Sequence, residues 1–258
     1  MERLSQPRKR GLSKQQLLFW GMLFLLAGMF SRSFLQNRVL QMNTLTGMQL
    51  LEAMSASGAA MAAATVALVM QALETCAVPI FAFLLADGFE KAKNRKRMLL
   101  LLLITAVVGE IPYNLAMNGS FLHMGSRNPA VALLIAVAVM YFFHRYSENS
   151  FKDVLIRVFV GISSVLWAAM LNVDHGVAFL VVFMVMWGLR KKKQLRTMFG
   201  TVASTACALV SPFYLASGMG VLPVYFYRED EEEPELGFMM YLVYPILLSC
   251  VAGLSYLI

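Results

Sequence analysis

Residues 159–193 read FVGISSVLWAAMLNVDHGVAFLVVFMVMWGLRKKK. Two apolar runs flank the five residues NVDHG, and four cations close the second run. A bilayer is spanned by roughly 20 apolar residues in helical form, so the two runs read as spans of about 154–172 and 176–189 joined by a tight turn. Lysine and arginine loops are retained on the cytoplasmic side, which orients the pair. A charge held in hydrocarbon costs a few kcal/mol on insertion scales. Asp174 and His175 are therefore either the working part of a membrane protein or the polar turn of a helix hairpin.

The same pattern extends outward in both directions. The 258-residue chain is 59% hydrophobic and 14% charged, against about a quarter charged in soluble domains. Its mean hydropathy is +0.65. Further apolar runs fall at about 15–36, 65–86, 98–117, 129–143, 198–222 and 237–257. The reading is an all-α, polytopic bundle of eight spans, one domain over 1–258. A basic segment, 1–14, precedes the first span, which is retained because no small-residue cleavage site follows it. The stretch 37–65 is mixed. Leu45, Met48, Leu51 and Met54 share one helical face there, as in a helix lying at the interface.

Eighteen of the 22 lysines and arginines fall in one alternate set of loops. Arg32, Arg38, Arg127 and Arg228 make up the other set. That asymmetry predicts cytoplasmic termini, an external acidic loop at 228–236, and multi-pass placement in a cell membrane. The bilayer is the expected partner. The basic clusters are short and lie between spans, so nucleic acid is excluded as a partner. Cys76, Cys207 and Cys250 lie in apolar runs without ligand spacing, and no metal is expected. No phosphate loop, dinucleotide fingerprint or GxSxG motif is present.

This topology places the intramembrane polar residues in the outer half. They are Glu74 in the second span, Glu110 and Asn114 in the third, Arg127 and Asn128 at the start of the fourth, Asp174 and His175, and Tyr244 in the last. Glu74 and Glu110 either pair with Arg32 or Arg127 or line a cavity opened by Pro112, which frees a backbone carbonyl. Imidazole exchanges protons near neutral pH. Neighbouring helical residues point about 100° apart, so His175 needs orienting partners from other spans rather than from Asp174.

The segment LETCAVPIFAFLLADGFEKAKNRKR, with GEIPYNLAMNG, RNP, DHG and FYREDEEEPELGFMMYLVYPILL, resembles the TraX family of integral membrane proteins over about 15–258. The resemblance implies acetyl transfer to a pilin-like acceptor during conjugation, with acetyl-CoA or another acyl-CoA as donor. It departs from the family in four places. Gly28 and Met29 stand near the family's Asp-His pair, Leu247 stands where a closing His would fall, Thr75, with Glu74 beside it, replaces an Arg, and acids replace the glycines of the family's Tyr-Asn-Gly-basic-Gly loop. Under the resemblance His175 is the base, with Asp174 and Glu110 as its orienters. Arg127 or Asn128 stabilises an oxyanion, and Asn114, Glu74 and Tyr244 contact substrate. The alternatives are a TraX-like protein that has lost catalysis and binds an envelope partner, and a solute transporter relaying protons through Glu74 and Glu110.

Overall fold

The computed structural model describes residues 11–42, 46–148, 150–228 and 238–257. All regular structure among them is helical. The helices are α1 (Lys14–Phe30), α2 (Gly47–Ala56), α3 (Gly58–Thr75), α4 (Ala77–Lys91), α5 (Arg95–Asn118), α6 (Ala130–Arg145), α7 (Phe151–Met170), α8 (Gly176–Gly188), α9 (Lys193–Ala206), α10 (Val221–Tyr225) and α11 (Phe238–Leu257). Side chains cap the starts of several: Ser13 forms a capping box with Gln16, and Asn94 and Ser150 accept the third backbone N–H of α5 and α7.

The bundle has one end rich in cations. Lys14 lies against Gly88, Gly21 against Ile80 and Phe81, and the Ser31 hydroxyl donates to the Ala67 carbonyl at 2.8 Å. The first helix therefore runs antiparallel to α3–α4. Arg95 Nε donates to the Phe89 carbonyl at 3.3 Å, which starts α5 where α4 ends. Lys193 Nζ donates to the Tyr227 carbonyl at 3.2 Å, adding the start of α9 to the same end. The core between these helices is built on Phe83, Phe89, Leu180, Phe183 and Met186, each at most 2% exposed. Outward faces are apolar too: Phe159, Ile162 and Leu166 of α7 are all more than half exposed, as a lipid-facing helix requires.

Among the described residues, four helical stretches are long and apolar enough to cross a membrane: Lys14–Val39, Gly58–Lys91, Arg95–Asn118 and Phe151–Met170. Ala130–Arg145, Gly176–Gly188 and Met239–Ser255 are apolar but shorter. The scheme of eight alternating spans is corrected in two places.

The first correction concerns 198–222. This run does not cross. After α9 the backbone breaks into short 3-10 turns, Cys207–Leu209, Pro212–Leu215 and Ser217–Gly220, and α10 leads it back. Tyr227 then stacks edge-on against Phe83 at 5.1 Å, and Arg228 N donates to the Leu12 carbonyl at 3.1 Å. The segment enters from the cationic end and returns to it. Pro212, Gly218, Gly220 and Pro223 are the physical reason, since each weakens or ends a helix.

The second correction follows from the first. The acidic stretch at 228–236 leaves from the cationic end, beside Leu12, rather than from the opposite one. Its residues after Arg228 lie outside the described residues. The last helix then runs parallel to α5, because Thr105 Oγ1 donates to the Tyr241 carbonyl at 3.0 Å while Gly109, one turn on, packs on Tyr244. Leu257 thus ends at the face opposite Leu12, and the two ends of the described chain do not share a side.

The stretch 37–65 resolves into two parts. Ser31–Val39 continues α1 as a wide π-helical turn, and α2 follows, capped by Thr46 with Gln49. Of the proposed apolar face, Met54 packs beside Leu40 and Ala64 while Met48 is 80% exposed. Leu45 lies outside the described residues.

Candidate functional site

Helix lengths fix the depth of the polar residues. At 1.5 Å per residue, Lys14 to Gly28, Arg95 to Glu110 and Gly188 to Gly176 each rise by roughly 20 Å. The hydrocarbon core is about 30 Å thick. The α7–α8 turn therefore lies in the half of the bundle far from the cationic end. Glu74, Glu110, Asn128, Asp174, His175 and Tyr244 form one polar layer at that level.

Two clusters make up the layer. In the first, Arg32 Nη2 donates to Glu74 Oε1 at 2.6 Å and to Asp174 Oδ2 at 2.7 Å. His175 Nε2 faces the same Glu74 oxygen at 3.3 Å and Asp174 Oδ1 at 3.8 Å. Its Nδ1 lies 2.6 Å from the Tyr214 hydroxyl, with the rings edge-on at 5.8 Å. The Glu74 side chain is fully buried, and those of Asp174 and His175 are 14% exposed.

Local backbone geometry builds this cluster. The wide π turn carries Arg32 past the end of α1. Gly28 admits Glu74: a Cβ there would fall inside the Glu74 side chain. His175 caps α8 in the left-handed region at φ 55°, and Asn172 enters the turn at φ 48°. Non-glycine residues rarely hold that conformation unless their surroundings fix it. Here they do. Arg127 N donates to the Asn172 carbonyl at 3.0 Å and Asp174 N to the Arg127 carbonyl at 2.9 Å, stitching the turn to the α5–α6 loop, while Asn172 Nδ2 reaches the Gly125 carbonyl.

The second cluster closes on itself. Glu110 Oε1 accepts from Arg127 Nη1 at 3.2 Å, and its Oε2 accepts from Asn128 Nδ2 at 2.6 Å and Asn128 N at 3.3 Å. Asn128 also donates to the Ala106 carbonyl at 2.9 Å. Both ion pairs weighed from the sequence thus form, Glu74 with Arg32 and Glu110 with Arg127. Glu110 bonds Arg127 and Asn128 rather than His175, and the Asn128 amide N–H groups go to Glu110 and the Ala106 carbonyl. Glu74 takes the orienting place instead. Among the described residues, neither amide atom of the fully buried Asn114 finds a hydrogen-bond partner, nor does the buried Tyr244 hydroxyl.

A cavity of about 170 Å³ joins this layer to the cationic end. Lys14, Asn94 and Arg97 stand at its mouth. Leu18, Met22, Leu84, Leu102 and Phe179 line its walls, and Glu74, Asp174, His175 and Tyr244 its inner end. Glu74 Oε2 and His175 Nε2 have no hydrogen-bond partner among the described residues. Buried polar groups are nearly always bonded, so these two mark where a bound molecule would present its own polar atoms.

Glu74, Asp174 and His175 each offer one ligand atom within 4.8 Å of the others, a trio that could hold a metal ion and that sequence spacing did not reveal. The Arg32 guanidinium already bridges both carboxylates. A divalent ion would sit against a fixed buried cation, a poor fit for this donor set.

A long helical bundle with lipid-facing apolar surfaces, a buried charged layer and a cavity reaching it from one end belongs to the helical membrane proteins. Within that class a family model described as TraX protein matches residues 61–255. The chain belongs to the TraX family. No curated protein and no solved structure matches it.

Two features of the site escaped the sequence reading. Tyr214 lay within a run read as a plain span, although the Ser211-Pro212 pair two residues before it signals a break. Arg32 was placed at the rim. The π turn that brings it inward has no sequence signature.

Proposed function

We propose that the protein is a membrane acyltransferase working at the Glu74–His175 end of the cavity. The observation that carries the reading is the cavity itself: a narrow, apolar-walled passage from a cationic mouth to an imidazole with an unbonded nitrogen. A thioester donor such as an acyl-CoA would set its phosphates against Lys14 and Arg97 and extend a thin arm inward. An amine or hydroxyl acceptor, in the manner of a pilin-like or envelope component, would approach from the opposite face.

The chemistry then runs through this chain's own groups. The acceptor's nucleophilic atom attacks the thioester carbonyl as His175 Nε2 takes its proton. The carbon–sulfur bond breaks, and the imidazolium returns that proton to the leaving thiolate. Glu74 Oε1, 3.3 Å from Nε2, stabilises the imidazolium in between. Arg32 keeps the two carboxylates from repelling each other.

The test is calorimetric binding of acetyl-CoA and acetyl transfer by the purified protein in proteoliposomes, with His175→Ala beside the wild type. Binding with transfer that His175→Ala abolishes is expected. Unchanged transfer in that variant removes His175 from the mechanism.

A second reading has its own support. Arg32 bridges Glu74 and Asp174, His175 lies against both carboxylates, and Glu74 fills the space beside Gly28. A TraX-like protein without catalysis, holding an envelope partner, would keep such a cluster as a lock. Absence of acetyl-CoA binding together with a stoichiometric co-purifying partner would favour it.

A further inference from the structure

The re-entrant segment is fastened at the two points that build the site. Thr75 Oγ1 donates to the Phe213 carbonyl at 3.1 Å, Ser217 Oγ donates to the Thr75 carbonyl at 3.0 Å, and Cys76 Sγ donates to the Ala216 carbonyl at 3.2 Å. Gly220 packs directly on the Cys76 carbonyl. All these contacts lie within two residues of Glu74. Between them the segment projects Tyr214, 5% exposed, onto His175 Nδ1 at 2.6 Å. One short stretch of chain therefore sets both the end of the helix that carries Glu74 and the ring that faces it.

We propose that Tyr214 is a positioning residue that accepts a hydrogen bond from His175 Nδ1–H and so leaves the Nε2 lone pair facing the cavity. A neutral imidazole carries one N–H, and the bond made by one nitrogen decides the state of the other. Two acceptors compete for that proton, the Tyr214 hydroxyl at Nδ1 and Glu74 Oε1 near Nε2. The Tyr214 contact is shorter by 0.7 Å, from 2.6 to 3.3 Å, and Nε2 has no bonded partner. Nδ1 is accordingly the protonated nitrogen. When Nε2 later gains a proton, Glu74 stands ready for it.

The inference rests on the acyltransfer reading only for its kinetic consequence, and the test separates the two. The chain has three histidines, so selective ¹⁵N-histidine labelling in micelles gives resolvable rings. Spectra are recorded where the His175 ring is neutral. The wild type should show the Nδ1–H tautomer. In Tyr214→Phe, which keeps the ring packing and loses the hydroxyl, Glu74 is the remaining acceptor and the Nε2–H form should take over. Acetyl transfer by Tyr214→Phe should fall in kcat by roughly 10- to 100-fold with the donor KM unchanged.

A wild-type Nε2–H tautomer, or a tautomer that ignores the substitution, overturns the proposal. If Tyr214→Phe does not fold, the wild-type spectrum alone still decides it. Absence of any transfer by wild-type protein that shows the Nδ1–H tautomer would count against the acyltransferase reading and leave the positioning role of Tyr214 standing.

Discussion

Replacing Arg32 with glutamine tests whether the polar layer is an electrostatic unit. One guanidinium nitrogen bonds Glu74 at 2.6 Å and Asp174 at 2.7 Å, and the Glu74 side chain is fully buried. Removing one partner from a buried ion pair leaves an uncompensated charge and costs about 3–5 kcal/mol. Here two carboxylates lose the same partner. His175 can offset part of that loss by holding a proton near both, so the expected cost stays within about 3–5 kcal/mol. The second arm of the cycle is Glu74→Gln in the Arg32→Gln background. It removes the more buried of the two stranded carboxylates and should restore part of the loss, giving a coupling of roughly 1–3 kcal/mol. The assay is reversible unfolding in mixed micelles, followed by tryptophan fluorescence and repeated for both singles and the double. A cost below about 1 kcal/mol for Arg32→Gln, in the range of exposed pairs, would refute a buried network. So would additivity within about 0.5 kcal/mol.

Three other outcomes follow from particular contacts. Gly28→Ala drives a methyl group into Glu74 and should cost roughly 1–3 kcal/mol, as overpacking does, and reduce any acetyl transfer, whereas Gly58→Ala, with open space around it, should be silent in both assays. Glu110→Gln keeps the Asn128 contact and weakens only the Arg127 pair, whose side chains are 30% and 19% exposed, so unfolding should shift by about 1 kcal/mol or less with no loss of acyl-donor binding. A large loss of donor binding there would return Glu110 to the site. Reporters of sidedness fused after Ile258 and before Met1 should report opposite faces, because α11 runs parallel to α5. The same face for both would refute the re-entrant reading of 193–225.

Composition and periodicity showed the helices, since apolar blocks of spanning length leave little else to form in lipid. They could not show which blocks cross. The run at 198–222 has the length of a span and the breakers of a turn: Pro212, Gly218, Gly220 and Pro223 cut it into pieces that double back. Counting basic loops assumes that every apolar run crosses, so one re-entrant segment inverted the side assigned to everything after it. That error moved the acidic stretch and the last helix, and it hid Tyr214. The pairing of the acids was half legible for a related reason. Arg32 and Arg127 were the available cations, and both were used, but burial depth decides which acid faces His175. Depth depends on how the spans pack: in the turn between α7 and α8, Leu171 is exposed while the side chains of Asp174 and His175 are largely buried. The turn places His175 where an imidazole is costly unless it is bonded on both sides. Tyr214 supplies one side, and the end of the cavity is the other. The residue quoted at the outset as a choice between turn and site is therefore both: the turn is what delivers the imidazole to the cavity.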